Sequence, residues 1–277
     1  MEPRYWFRPV FSAALKEIKI VLRYKSAVAA LLVWPVIFPL TFYFMGKGLA
    51  GTTGQGLSNF ERLAQTGDYA SFLILGNLVW LFININLWMG GLSLQRDRVM
   101  GIFDTHWTMP ASKISLILGV TLASIVLNFF PLVIGISFYS LIGAFRVSAN
   151  YLSILFSITL IMPFLVGFLL IFAALTVRLR QAGMSVHITR AVLSILCGLQ
   201  FPLAVLPESI SSIGKHIPLT HFVNMIRGII IHQQSLFTYR ESIVYLIFSG
   251  VLMLFVGKLV FEMTKRRVKS RGLVVGY

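Results

Sequence analysis

Residues 147–177 read VSANYLSILFSITLIMPFLVGFLLIFAALTV, 31 positions without a charged side chain, bounded by Arg146 and Arg178. A helix crosses the hydrocarbon core of a bilayer in about 20 apolar residues, so this stretch reads as a membrane span. Charge-free runs of the same kind cover residues 26–46, 69–95 and 115–145, and shorter ones cover 191–207 and 242–257. The last run extends to Phe261 when Lys258 turns its ammonium toward the interface. The pattern predicts an all-α integral membrane protein, one domain over residues 1–277. Its six transmembrane helices are expected near 26–46, 70–94, 115–143, 152–177, 187–206 and 242–261.

Composition points the same way. Of 277 residues, 57% are hydrophobic and 12% charged, with 23 Phe and a mean hydropathy of +0.84. Soluble domains carry about twice that share of charge, so a cytosolic enzyme, a secreted disulfide scaffold and a disordered tail are all excluded. The lone Cys197 falls in the fifth span and has no partner for an internal disulfide. No small-residue cleavage site follows the first span, so no cleavable leader is expected.

The formal charge of +15 comes from 24 Lys and Arg against 9 Asp and Glu. In a soluble chain such a balance would suggest nucleic acid; its distribution here suggests a membrane instead. Eighteen basic residues lie before the first span, between spans two and three, between spans four and five, or after the sixth. Lys47, Arg62, Arg146, Lys215, Arg227 and Arg240 occupy the alternate loops. Lys and Arg accumulate on the cytoplasmic side, which predicts both termini in the cytoplasm and a multi-pass protein of the cytoplasmic (inner) membrane. No nucleic-acid partner is expected.

Three segments between the spans carry further information. Residues 8–25 place Phe11, Leu15, Ile18 and Leu22 at helical spacing, with Lys16, Lys19 and Arg23 on other faces. This predicts an amphipathic interfacial helix whose bases face anionic lipid. The loop 95–113 concentrates Arg96, Asp97, Arg98 and Asp104 beside Gly101 and Pro110, more chemistry than a connection between two spans requires. It reads as a docking surface for a soluble partner. The outer segment 207–232 is largely apolar yet broken by Pro207 and Pro218, as expected for a re-entrant segment between spans five and six.

Inside the second span, Asn77, Trp80, Asn84 and Trp88 fall on one third of the helix circumference, with Asn86 opposite. Two readings of this stripe stand. It is a wall of a translocation pathway, with Gln200 of span five and Asn128 of span three as weaker members, or it is helix–helix glue. No acidic or basic residue lies within the charge-free runs, which argues against a proton- or sodium-driven carrier.

The chain resembles the membrane (permease) subunit of ABC type-2 exporters. In that family the loop after span two resembles Glu-Arg-Glu-x-Gly-Thr-Leu-Glu followed by a Pro. Here Gln95-Arg96-Asp97, Gly101-Ile102-Phe103-Asp104 and Thr108-Met109-Pro110 stand in its place, with Ile102 for Thr, Asp104 for Glu and one extra residue before Gly101. The family's second mark follows span five and is matched by Phe201-Pro202, Leu206-Pro207-Glu208, Pro218-Leu219-Thr220 and Arg227, in that order.

The resemblance implies roles residue by residue. Arg96, Asp97, Gly101, Asp104 and Pro110 belong to a coupling helix docked on a cytoplasmic ATPase, which Lys16, Lys19 and Arg23 also touch. Pro207, Glu208, Pro218, Leu219 and Thr220 belong to an outer gate, and spans two and five of two subunits line the pathway. The 277 residues contain no G-x-x-x-x-G-K-[ST]. The chain is therefore expected to bind no cofactor itself, with ATP and Mg on a separate P-loop ABC ATPase subunit.

The expected assembly is two ATPases with two permeases, the second being another copy of this chain or a homologue. The expected function is export of an amphipathic or hydrophobic substrate: a drug, lipid or glycoconjugate. Polysaccharide or lipid-linked glycan export is the alternative. A membrane-embedded enzyme is a more distant one, since the five His and nine acids show neither H-E-x-x-H nor paired-carboxylate spacing.

Overall fold

Where a long apolar run meets no charge, the backbone satisfies its own polar groups only by coiling into a helix, and the computed structural model is helical throughout its described secondary structure. It describes residues 4–50, 55–64, 66, 68–108, 112–143, 151–176, 179 and 181–270. The helices, in chain order, are α1 (Arg4–Arg23), α2 (Lys25–Ala50), α3 (Gln55–Ala64), α4 (Tyr69–Asn86), α5 (Ser93–Val99), α6 (Phe103–Thr108) and α7 (Lys113–Leu141). They continue with α8 (Tyr151–Thr176), α9 (Ala182–Leu196), α10 (Glu208–Lys215), α11 (Pro218–Ile230) and α12 (Arg240–Ser270).

Among the described residues, five stretches are long and apolar enough to cross a membrane: Lys25–Met45, Tyr69–Gly91, Lys113–Leu141, Tyr151–Thr176 and Leu236–Arg267. The fifth sequence-predicted span, 187–206, differs. Its helix begins earlier, at Ala182, and stops at Leu196, 15 residues in all, short of the about 20 that a full crossing needs. Gly198 ends it with φ of 60°, a left-handed turn that glycine adopts without steric cost, and Pro202 prevents its resumption. The sixth span is longer than expected, because Lys258 and Lys265–Arg267 continue the helix instead of ending it.

Span two also departs from a single helix over 70–94. After Asn86 the chain makes one wider turn, Leu87–Gly91, in which Leu92 N donates to Leu87 O at 3.1 Å. Thr176 Oγ1 of α8 donates to Gly91 O at 3.2 Å. Such single wide turns re-aim the chain that follows, and here α5 follows at Ser93. The segment before α4 holds α3, a helix that the charge pattern did not foretell; Phe60 packs edge-on against Tyr69 and Phe72.

Residues 71–79 of α4 are buried on every side, as expected of a helix apolar all round. A core cluster joins α4 to α7, α8, α9 and α11 through residues such as Leu75, Leu78, Tyr139, Leu169, Val186 and Phe222. A second cluster joins Leu94, Phe103, Ile117, Ala173 and Phe261 at the end of the bundle that carries α5 and α6. α12 packs along α8, and α1 along α7. The α10–α11 hairpin fills the opposite end, where α11 meets the start of α4.

Candidate functional site

At the α5–α6 end, polar side chains from three distant segments converge. Gly101, with φ of 70°, reverses the chain between α5 and α6, and Ile102 N donates to Asp97 O at 3.0 Å. The reversal brings His106 Nδ1 within 2.9 Å of Asp97 Oδ2. Lys113 Nζ, at the start of α7, donates to His106 O at 2.8 Å. Arg96 Nη2 reaches back to α1 and pairs with Glu17 Oε2 at 2.9 Å. Glu17 is nearly enclosed, whereas Arg96 keeps about a third of its side chain exposed.

A cavity of about 250 Å³ opens among Ser12, Lys16, Glu17, Ser93, Asp97 and His106. Lys16, Lys19 and Arg23 are exposed on α1. The apolar stripe of that helix also faces outward, with Phe11, Leu15 and Leu22 exposed beside Leu122 and Val126 of α7. Arg96, Asp97 and Gly101 are thus held in one corner with Glu17. Asp104 lies within α6, and Pro110 falls outside the described residues.

Along the span-two stripe, α9 and its following turn run antiparallel to α4. Trp88 lies against His187 with ring centroids 5.6 Å apart. Arg190 Nη1 donates to Asn84 Oδ1 at 3.1 Å, and its Cζ lies 5.2 Å from the Trp80 ring. Trp80 stacks on Phe38 of α2 at 4.7 Å. Higher on the same face, Gln200 Nε2 donates to Asn77 Oδ1 at 3.3 Å, while Asn77 Nδ2 donates to Leu73 O at 2.9 Å. Asn77 is fully buried, the arrangement expected of helix–helix glue; Asn84 is partly accessible and Trp88 is 40% exposed. Asn86, on the opposite face, accepts from Ser124 Oγ at 2.8 Å. Asn128 is buried, and its amide has no partner among the described residues.

At the other end, Glu208 opens α10 and Pro218 opens α11; both positions suit a helix start, one by charge and one by its missing N–H. Thr220 Oγ1 donates to Gly214 O at 2.7 Å and ties the hairpin together. Leu219 and Thr220 are buried, whereas Pro207 and Glu208 are exposed. Beneath them Arg227 donates to Gly198 O and Leu199 O at 2.8 Å each and to Phe72 O at 3.2 Å. Its Cζ lies 3.4 Å from the Phe72 ring centroid.

Two residues of these groups carried no clear signal in the sequence, and a third, Arg227, stood out only through the resemblance. Glu17 was one acid on a basic helix, and only its enclosure against Arg96 singles it out. Arg190 stood at the margin of a charge-free run and read as a loop residue. Arg227 was placed in a loop, and its partners are backbone carbonyls, which leave no side-chain pattern.

A comparison with curated proteins gives no match. The family model of the ABC-2 type transporter matches residues 14–231, a region holding α2 to α11, the Glu17–Arg96 corner and the hairpin. The chain is a membrane component of an ABC transporter and belongs to the ABC-2 type transporter family.

Proposed function

We propose that this chain is the permease subunit of an exporter whose power comes from a separate P-loop ABC ATPase. Two ATPases, with ATP and Mg bound on them, drive two permeases, the second being another copy of this chain or a relative. The α5–α6 end faces the cytoplasm with both termini, in the inner membrane, and α5 with α6 docks on the ATPase. α9 with its turn to Pro202 serves as the fifth crossing in chain order, the α10–α11 hairpin as a re-entrant outer gate, and Asn84 with Trp88 as part of the pathway wall. The cargo is an amphipathic or hydrophobic molecule, for which indole and aliphatic walls are better suited than for a sugar polymer.

The observation that carries this reading is the Glu17–Arg96 ion pair, which ties the segment after span two to the amphipathic helix. A force delivered to α5 and α6 from the aqueous phase is thereby shared with α1 and, through α7, with the bundle. The test is co-purification with a P-loop ABC ATPase, sought first in the adjacent reading frame, followed by the variant carrying Gly101→Trp and Asp104→Arg. The reading expects loss of assembly or of transport-linked ATP hydrolysis; unchanged assembly and turnover would overturn the coupling assignment. Asn84→Leu should alter substrate stimulation of the ATPase while leaving assembly intact.

A further inference from the structure

We propose that the cargo carries an anionic group, a phosphate, sulfate or carboxylate on an apolar body, and that Arg190 receives it. The inference rests on the pathway reading above and names its substrate class. Arg190 and Arg227 both lie among the helices of this bundle, and they are used differently. Arg227 is enclosed, with Nη1 and Nη2 held by three carbonyls, its plane against the Phe72 ring and no room left for a ligand, even though its Nε has no partner among the described residues. Arg190 makes one hydrogen bond, to Asn84, and lies beside the Trp80 ring. A guanidinium has five N–H donors, and the side chain of Arg190 is only partly buried, so donors remain to be used beyond the one given to Asn84. Among the described residues no carboxylate pairs with it.

A cation two turns inside the bundle without a counter-ion is costly in hydrocarbon and marks a functional site by default. Its planar fork matches a carboxylate or phosphate better than any neutral group. The surroundings suit the rest of such a molecule. Trp88, 40% exposed, lies one turn toward the α5 end, and the Trp80 ring lies beside the guanidinium itself. A cationic amphipath would find the same indole rings but would be repelled by Arg190, which is how one charge discriminates between otherwise similar molecules.

The experiment measures binding of three probes of equal chain length, decyl phosphate, decyltrimethylammonium and decanol, to the full-length chain in phosphatidylcholine nanodiscs. Wild type should bind decyl phosphate about tenfold tighter than the other two, and Arg190→Gln should abolish that preference, since a charge-assisted hydrogen bond to a ligand is worth about one to two decades of affinity. Arg190→Lys, which retains the charge, should keep a reduced preference, and its unfolding temperature controls for the fold. Equal binding of the three probes by wild type, or a preference that survives Arg190→Gln, overturns the proposal. If Asn84→Leu and Trp88→Ala weaken all three probes equally while Arg190→Gln leaves their ratio unchanged, the pathway reading stands and the anion assignment falls. If neither Asn84→Leu nor Trp88→Ala changes any probe, the pathway reading itself falls. Nanodiscs containing phosphatidylglycerol separate cargo from resident lipid. Competition by that lipid that disappears in Arg190→Gln would assign Arg190 to a lipid headgroup and overturn the cargo proposal.

Discussion

Glu17 and Arg96 are 79 positions apart in the chain, yet their side chains pair at 2.9 Å between the first helix and the segment after span two. The pair is uneven in its surroundings, 7% exposed at Glu17 and 31% at Arg96. Removing the arginine leaves an almost enclosed carboxylate without its cation, whereas removing the carboxylate leaves an arginine that turns to water. Arg96→Gln should therefore destabilise more than Glu17→Gln, by about 1–2 kcal/mol against less than about 1 kcal/mol. Both should reduce substrate-stimulated ATP hydrolysis by the assembled transporter more than basal hydrolysis. A double-mutant cycle in thermal unfolding measures the coupling; a coupling energy near zero would remove the pair from the account of force transfer.

Arg227 holds three segments together at the other end: Gly198 and Leu199 after α9, and Phe72 near the start of α4. Arg227→Met keeps a long side chain but leaves the carbonyls of Gly198 and Leu199 without this donor in a buried place. A buried polar group left unmade costs about 1–3 kcal/mol, so the expected loss is about 3 kcal/mol, read as a lowered unfolding temperature in detergent. Arg227→Lys supplies one charged head where two nitrogens now divide three contacts, and should recover only part of the loss. Full stability of Arg227→Met would show that the turn after α9 is held by its apolar packing alone.

The long helices were legible because hydrocarbon tolerates no unpaired backbone and few charges, so five apolar runs sufficed to locate them. The limits of α9 were not, and Arg190 shows why. A scan for charge-free residues starts the helix after it, while Asn84 and Trp80 allow the guanidinium to lie within the fold. The turn Leu87–Gly91 was hidden in the same way, since Thr176 on another helix accompanies it. In the candidate site, the loop chemistry of Arg96, Asp97 and Gly101 stood out by density of charge. Its partner Glu17 did not, because a periodicity of apolar residues says which face differs and not what covers it. Phe11, Leu15 and Leu22 form the expected stripe on α1, yet they point outward while the acid points in.

Gly76 is where α4 lets the turn after α9 approach. A Cβ built there would overlap the carbonyl oxygen of Leu199 and press on Nη2 of Arg227. The obstacle includes backbone, so a side-chain adjustment cannot relieve it. Gly76→Ala should cost about 3 kcal/mol or more through overpacking, and it should do so by displacing the same turn that Arg227 holds. The two substitutions share partners, so their effects on the unfolding temperature should be less than additive. Strict additivity would show that Gly76 and Arg227 act on separate parts of the fold.

The long helices α8 and α12 approach closely where Gly167 and Gly257 face each other. A Cβ on Gly167 would overlap the backbone of Met253, and one on Gly257 would overlap the carbonyl oxygen of Gly167. Helices in lipid gain no hydrophobic drive from touching one another, so association depends on close van der Waals packing, which small residues permit. The start of α12 also meets the hairpin through Ser242 and Tyr245, but along its middle Val244, Phe248, Val251 and Phe255 are exposed, so that stretch depends on this seam. Gly167→Leu should separate α12 from α8 without disturbing the α4–α11 core. The expected result is a chain that inserts and keeps its helical circular dichroism, but in which a cysteine pair placed at positions 163 and 250, where Gly250 now meets Pro163, loses most of its oxidative cross-linking. Gly167→Ala should give an intermediate effect, because one methyl forces a smaller separation than an isobutyl group. Undiminished cross-linking in Gly167→Leu would mean that α12 is held by its ends rather than by the glycine seam.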